Sequence, residues 1–523
     1  MQATSGALGL DGGADDDTVI NTGTIDVDSE ARVHQDFAVD VTLVDVTGGQ
    51  VDTSIEASAM SVGIFGGSGQ DGIENHGTIE STATSFISRT EDSYSAVGNL
   101  AVEAALVADV QAIGIDGGEG DDAITNFSTI TVGSIASAVV NETSSSLVAT
   151  DISSLDAGVT SQAFASGIEG GSGDDTITNH NLIGVTATAD TFMGTMIMSA
   201  LSIDNPLATA SVASAPSAVA VATGINGGAG ADTITNNSTI NAKANPFAQS
   251  VEADASVAGL VVATAGTRSD ATAVGIEGGA DDDTLINAGT ITAWADAMGN
   301  ADSVSVALAL IPVPTGLVFP FANAEAVSAA HAIGMSGWTG DDTIDNFGTI
   351  TADADASMVS VEVSAKLGFS GSSGGGGESA AAGAAAFDMT AEDEPLSLQN
   401  GVADASSTRM AVATGLSGGD GNDVMTNSET GTITSDADAS ATGVNVNASL
   451  SIAVAPSAAS VAGDAAPAAT GSGASGNGQQ AIADLGVLAD AFGIDGDAGD
   501  DRITNNGVLD VTANVSATDV GAK

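Results

Sequence analysis

Nine copies of one glycine- and aspartate-rich stretch recur along this chain, and no other feature restricts its fold as strongly. The third copy reads Gly114-Ile-Asp-Gly-Gly-Glu-Gly-Asp-Asp-Ala-Ile-Thr-Asn-Phe-Ser-Thr-Ile130, and the nine open at Gly9, Gly63, Gly114, Gly167, Gly224, Gly275, Gly334, Gly415 and Gly493. The core they share reads GGxGxDxU, where U is a large apolar residue, with one glycine replaced in four of the copies. Its sixth position is aspartate in all nine: Asp17, Asp71, Asp122, Asp175, Asp232, Asp283, Asp342, Asp423 and Asp501. Four residues later stands asparagine, from Asn21 and Asn75 through to Asn505. Such recurrence defines an array whose units touch only their neighbours. Residues 1–523 are therefore expected to form a single repeat array.

Each unit has three parts. The glycine-aspartate turn comes first, then a short strand, turn and strand, as in Asp342-Thr-Ile-Asp-Asn-Phe-Gly-Thr-Ile350. Two long arms of two-residue alternation follow, joined by a variable loop. Ile350-Thr-Ala-Asp-Ala-Asp-Ala-Ser-Met-Val-Ser-Val-Glu-Val363 is an outward arm, and Ala403 to Thr414 is its return. Period two over such lengths means strand.

Openings are spaced by 54, 51, 53, 57, 51, 59, 81 and 78 residues. The variation falls almost wholly in the joining loops, with glycine-rich flexible insertions expected at about 368–387 and 463–480. These features predict an all-β, parallel β-solenoid of about nine coils, each of 50–80 residues and carrying one turn. With coils about 4.8 Å apart the stack would be about 40 Å tall, with arms about 35 Å long or longer. A string of independent hairpins is the alternative, but a lone hairpin of this size cannot bury its apolar face. The chain starts just before one turn and stops inside an outward arm, so it reads as an excerpt of a longer array, or as ends that complete one another between molecules.

Composition narrows the partners. The net charge is −60, from 68 acidic and 8 basic residues. That excludes nucleic acid, which requires Lys/Arg patches, and disfavours anionic lipid. Cations, water or basic proteins are the natural partners. Aromatics are 3% of residues and much of the 43% hydrophobic content is alanine, so the core must be thin. Cysteine is absent. Met1-Gln-Ala-Thr-Ser-Gly has neither the basic start nor the apolar stretch of a signal peptide. The longest apolar run, around Val304 to Phe321, is broken by Pro312, Pro314 and Pro320, so no transmembrane segment is expected. The chain is expected to be extracellular or on a bacterial cell surface, exported by a route this segment does not show.

Carboxylates on a tight glycine turn suit a hard cation. Calcium takes six to eight oxygens, and glycines let backbone carbonyls turn inward. The motif resembles the RTX, or haemolysin-type, calcium-binding nonapeptide, whose turns build a parallel β-roll. Gly117-Gly118-Glu119-Gly120-Asp121-Asp122-Ala123-Ile124 matches it fully, as do the turns with Gly170, Gly171 and Gly173 and with Gly227, Gly228 and Gly230. Gly66 to Ile73 and Gly418 to Met425 also keep every glycine. Four turns depart from it, with Asp15 and Asp281 at the fourth position and Trp338 and Asp497 at the second. The arrangement departs as well, since RTX nonapeptides run in tandem and here there is one per coil. The resemblance implies that the sixth-position aspartates and loop carbonyls bind calcium between stacked turns, at up to about eight shared sites. Two carboxylates about 5 Å apart repel by about 3 kcal/mol at an effective dielectric near 20, so cations would turn repulsion into adhesion.

The asparagines read as a buried amide ladder, and Ile124 and Ile130 as core. Thr78, Thr129, Thr239, Thr290, Thr349 and Thr432 form a regular array, which admits ice binding as a minor alternative. Arg32, Arg89, Lys243, Arg268, Lys366, Arg409, Arg502, Lys523, the four histidines and Tyr94 are scattered, and no catalytic or organic-cofactor constellation is recognisable. The chain reads as no enzyme. A calcium-stabilised structural or adhesive protein is expected: a surface layer, matrix fibre or adhesin stalk, with a possible homopolymer through its ends. The alternative is a secreted module that binds a cell-surface or matrix partner through its loops, Ile311 to Phe321 being the candidate tip.

Overall fold

The computed structural model describes residues 1–42, 49–95, 100–146, 153–199, 209–256, 260–309, 320–371, 402–454 and 481–522. They form three parallel sheets that run the length of a nine-coil β-solenoid. In the third coil the return arm is Leu100–Glu119, the short strand Ala123–Asn126 and the outward arm Ile130–Ser146. The other coils repeat this order. Each strand pairs with its counterpart one coil away: Gly118 with Gly67 and Gly171, Asn126 with Asn75 and Asn179, Ile130 with Ile79 and Ile183. All pairing between coils is parallel, so the hairpin-string alternative does not hold.

The arms are longer than the sequence pattern suggested, because the alternation continues past the residues where it is most regular. Thr349–Gly371 runs for 23 residues, or about 75 Å when extended. Its last four residues pair with Ser451 to Val454. The loop insertion expected from 368 therefore begins later; the rest of it, the one at 463–480 and the tip at 311–319 lie outside the described residues. One arm is interrupted. The return arm of coil five divides into Thr209–Ser214 and Ser217–Ala229 at Pro216, which has no N–H to donate to a ladder.

Core composition follows the shape of the coil. Near the turns the three sheets converge and leave room for large aliphatics. Ile115, Ile124 and Ile130, one from each sheet, are fully buried, and Ile168, Ile177 and Ile183 repeat the trio one coil on. Each such side chain contributes about 1.5–3 kcal/mol of burial. Further out only two sheets face each other, and alanine takes over: the row Ala83, Ser134, Ala187, Ala244, Ala295, Ala354 and Ala437 is one residue per coil and buried throughout. Alanine lets the sheets approach closely, as dense packing requires.

Toward the loop edge the interior turns polar. Arg89 is fully buried and pairs with Glu91 and with Glu142, 3.0 Å away. Arg409, also buried, donates to the Met358 carbonyl. Sequence reading left both arginines unassigned. For Arg89 a signal was available, since Glu91 shares its face of the strand and Glu142 is the register partner of Glu91.

No helix long and apolar enough to cross a membrane occurs among the described residues.

Candidate cation-binding turns

The turns stack in register along the edge between the return arms and the short strands. In all nine, the second and fourth positions have positive φ. Fourteen of these eighteen are glycine, which adopts the conformation freely. The other four are Asp15, Asp281, Trp338 and Asp497, at φ 74°, 78°, 84° and 58°. They are the four departures from the repeat pattern, and the fold is kept there at the cost of left-handed non-glycine backbone. The first-position glycine answers a different need. A Cβ on Gly117 would lie 2.6 Å from Asp122 Oδ2, so the missing side chain leaves room for the carboxylate.

All nine sixth-position aspartates form one column. From Asp71 onward, the Oδ1 of each accepts the backbone N–H of the same position in the preceding coil, from Asp17 N–H to Asp71 at 2.7 Å through to Asp423 N–H to Asp501 at 3.0 Å. Sequence reasoning assigned these carboxylates to metal and missed their part in the stack. A turn exposes N–H groups that no ladder carbonyl reaches, and buried N–H groups need partners.

The other oxygen is different. Asp71, Asp122, Asp175, Asp232, Asp283, Asp342 and Asp423 are 1–2% exposed, and the Oδ2 of each has no hydrogen-bond partner. Burial first, and the neighbouring carboxylates after it, push Asp175 up to about 7, Asp283 to about 8, and Asp232 and Asp342 to about 6, all from 3.8. Backbone N–H donation opposes this only in part.

Fifth-position residues form a second, solvent-facing column running the opposite way. Asp16 Oδ1 accepts the N–H of Gln70 in the following coil, Asp121 that of Asp174, and Asp174 that of Ala231, at 2.9–3.0 Å. Backbone bonds knit the turns further: Gly120 N–H donates to the Ser172 carbonyl and Gly173 N–H to that of Ala229.

Unpartnered, buried carboxylate oxygens beside glycine backbone are hard donors that fit calcium. Among the described residues no three carboxylate or imidazole side chains converge. A cation here would draw one or two side-chain oxygens from the column, from Asp122 and Asp175 for example, and the remainder from carbonyls of residues such as Gly117, Gly118, Gly120, Gly170, Gly171 and Gly173. The turn with Gly227, Gly228, Gly230 and Asp232 repeats this set.

The asparagines form the expected ladder. Nδ2 of each donates to Oδ1 of the next, from Asn21 to Asn505, at 2.8–2.9 Å. The Oδ1 also accepts an N–H two residues on, as from Gly23 to Asn21. The next position carries a short ring stack, with His76 and Phe127 at 4.7 Å and Phe127 and His180 at 5.1 Å between centroids.

The chain matches no protein-family model, no curated protein and no solved structure.

Proposed function

We propose that this chain is a calcium-stabilised structural or adhesive solenoid of a bacterial surface, with the ions held along the stacked turns as in the RTX repeats that the motif resembles. One observation carries the reading: seven buried aspartate Oδ2 atoms, one per coil from Asp71 to Asp423, stand in a column without partners. Leaving a buried carboxylate oxygen unmatched costs on the order of 1–3 kcal/mol or more. Repeated along the stack, that cost favours an occupant of opposite charge.

The shape and the charge support an extracellular, load-bearing role. An elongated stack of coils with one constant edge of turns suits a stalk or matrix element. The open edges of coils one and nine would accept a further coil, of the same chain or of a second copy.

A second reading is favoured by the Oδ1 bonds. They join every pair of neighbouring coils without an ion, so the column would stand metal-free with its aspartates protonated. Chelation separates the two. Under the calcium reading, EDTA at neutral pH removes the far-ultraviolet strand signal and excess calcium restores it, with up to about eight ions taken up. An unchanged strand signal and unfolding midpoint after full chelation would leave the protonated column as the account of the turns. Electron microscopy of the calcium-loaded protein tests the assembly: filaments support end-to-end stacking, and dispersed single particles exclude it.

A further inference from the structure

Where the return arms reach the turns, the in-out alternation breaks. In coil four Ala165, Ser166, Gly167 and Ile168 are buried in succession, and Gly167 drops out of the pairing with both neighbouring coils. This elbow has no room for a side chain. A Cβ on the counterpart Gly114 would sit 2.5 Å from the Gly167 carbonyl and 2.6 Å from Ile130 Cγ2.

Across coils three to five the elbow forms a half-open groove with a volume of about 390 Å³. Register arranges its lining in rows. Asp109 lies beside Gln162 at one end, Phe164 and Val221 form the middle, and Ser166 and Glu169 close the other end. Phe164 is 37% exposed, while Ser166 is 6% exposed and its hydroxyl lies beside the Glu169 carboxyl. No lysine, arginine or histidine is among the lining residues.

We infer that this elbow binds an organic cation: an ammonium or guanidinium group on an alkyl stem, carried by a lysine or arginine of a partner protein or by a polyamine. Asp109, whose register partner Gln162 lies two residues from Phe164, meets the charged head at one end, and Glu169, seven residues beyond Gln162 along the arm, meets a second cationic head where the ligand carries one. The face of Phe164 attracts the first head through its ring quadrupole. Val221 packs against the stem, as aliphatic stems of basic residues pack on apolar surface. The oxygens of Gln162 and Ser166 accept the remaining N–H groups. The groove is too wide for its two carboxylates to close on a bare metal ion, whose oxygens must lie about 2.0–2.6 Å away. A phosphate or an acidic sugar would meet two carboxylates with no counter-charge.

The inference does not rest on the calcium reading, and its test keeps calcium present throughout. Agmatine, spermidine and a short lysine- and arginine-containing peptide are titrated calorimetrically near physiological ionic strength, which screens diffuse attraction to a chain of net charge −60. A saturable site is expected. Asp109→Asn with Glu169→Gln should weaken it about tenfold or more, and Phe164→Ala should weaken it less. A control pair far from the elbow on the outward-arm sheet, Asp355→Asn with Asp438→Asn, should leave it unchanged. Tighter binding of the peptide identifies a protein side chain as the source, and equal binding of spermidine a free polyamine. Equal loss in the control pair would overturn the inference. So would absence of saturable cation binding, including the case in which a neutral oligosaccharide fills the groove instead. The Asp109 and Glu169 changes are near-isosteric, so they decide the matter even if Phe164→Ala fails to fold.

Discussion

Raising the pH in the absence of metal should weaken this protein, the reverse of what carboxylates paired with cations do. Burial raises Asp175 from 3.8 to about 7, Asp232 to about 6, Asp283 to about 8 and Asp342 to about 6. For Asp175 that step corresponds to about 4 kcal/mol in favour of the neutral form in the folded state. A carboxyl whose folded pKa is raised contributes stability that is fully present below its unfolded pKa, near 4, and lost as pH rises through its folded value. Metal-free stability is therefore expected to fall between about pH 4 and pH 8. Under the calcium reading the ion would bind only the ionised column, so calcium-loaded protein should follow the opposite slope over the same window. Urea midpoints read by circular dichroism, with EDTA and with calcium, measure both. Asp175→Asn keeps the Oδ1 acceptor for Asp122 N–H but cannot ionise. It should flatten the metal-free slope by about one proton and reduce the stabilisation by calcium. A metal-free midpoint that rises with pH would refute the reasoning, because it would mean that the aspartates ionise in the folded stack without penalty.

Further changes test the stack itself. Asn179→Ala leaves Asn126 Nδ2 without its partner and takes from Asn236 Oδ1 one of its two N–H donors, Ser238 N–H remaining, and should cost about 1–3 kcal/mol in denaturant unfolding, the penalty of one orphaned buried group. Gly173→Ala places a methyl against the Gly120 carbonyl at φ +125°, so a loss of about 3 kcal/mol or more is expected by the same measurement. Asp281→Gly removes left-handed strain at φ 78° and should raise stability by up to about 1 kcal/mol, whereas a loss would mean that the Asp281 side chain itself holds the turn. Phe127→Ala removes both ring contacts of the exposed stack and should cost about 0.5–1.5 kcal/mol for each contact.

Much of this architecture could be read from letters, for a physical reason. A parallel solenoid sets identical positions one coil apart in contact, so any column with a strict chemical requirement recurs visibly at the coil spacing. The asparagine ladder, the Ile124 and Ile130 columns and the left-handed glycines all satisfy such requirements. The arms were legible only as strands. Their true length depends on how far two facing sheets continue to pair, and alternating Ala, Ser and Thr gives no end signal at Gly371. The Arg89–Glu91–Glu142 cluster and the Phe164 elbow arise from combinations that occur once. A repeat comparison averages such features away.

The division of labour within each aspartate was out of reach for a different reason. Sequence shows that a carboxylate is required at the sixth position but cannot say which of its oxygens is committed. In the folded stack Oδ1 is spent on a turn N–H of the preceding coil, a bond that asparagine at that position would also supply. A requirement for that bond alone does not explain why all nine positions carry aspartate. What distinguishes aspartate from asparagine is Oδ2, the oxygen left buried and unmatched from Asp71 to Asp423. Had the column served only to stack coils, asparagine would serve as well and spare each turn a buried charge, as it does in the parallel ladder from Asn21 to Asn505. The two ladders lie four residues apart on the same coils and share the same spacing. Their difference in chemistry therefore leaves the aspartate column, and not the asparagine ladder, with a buried oxygen to take up a proton or, under the proposed reading, calcium.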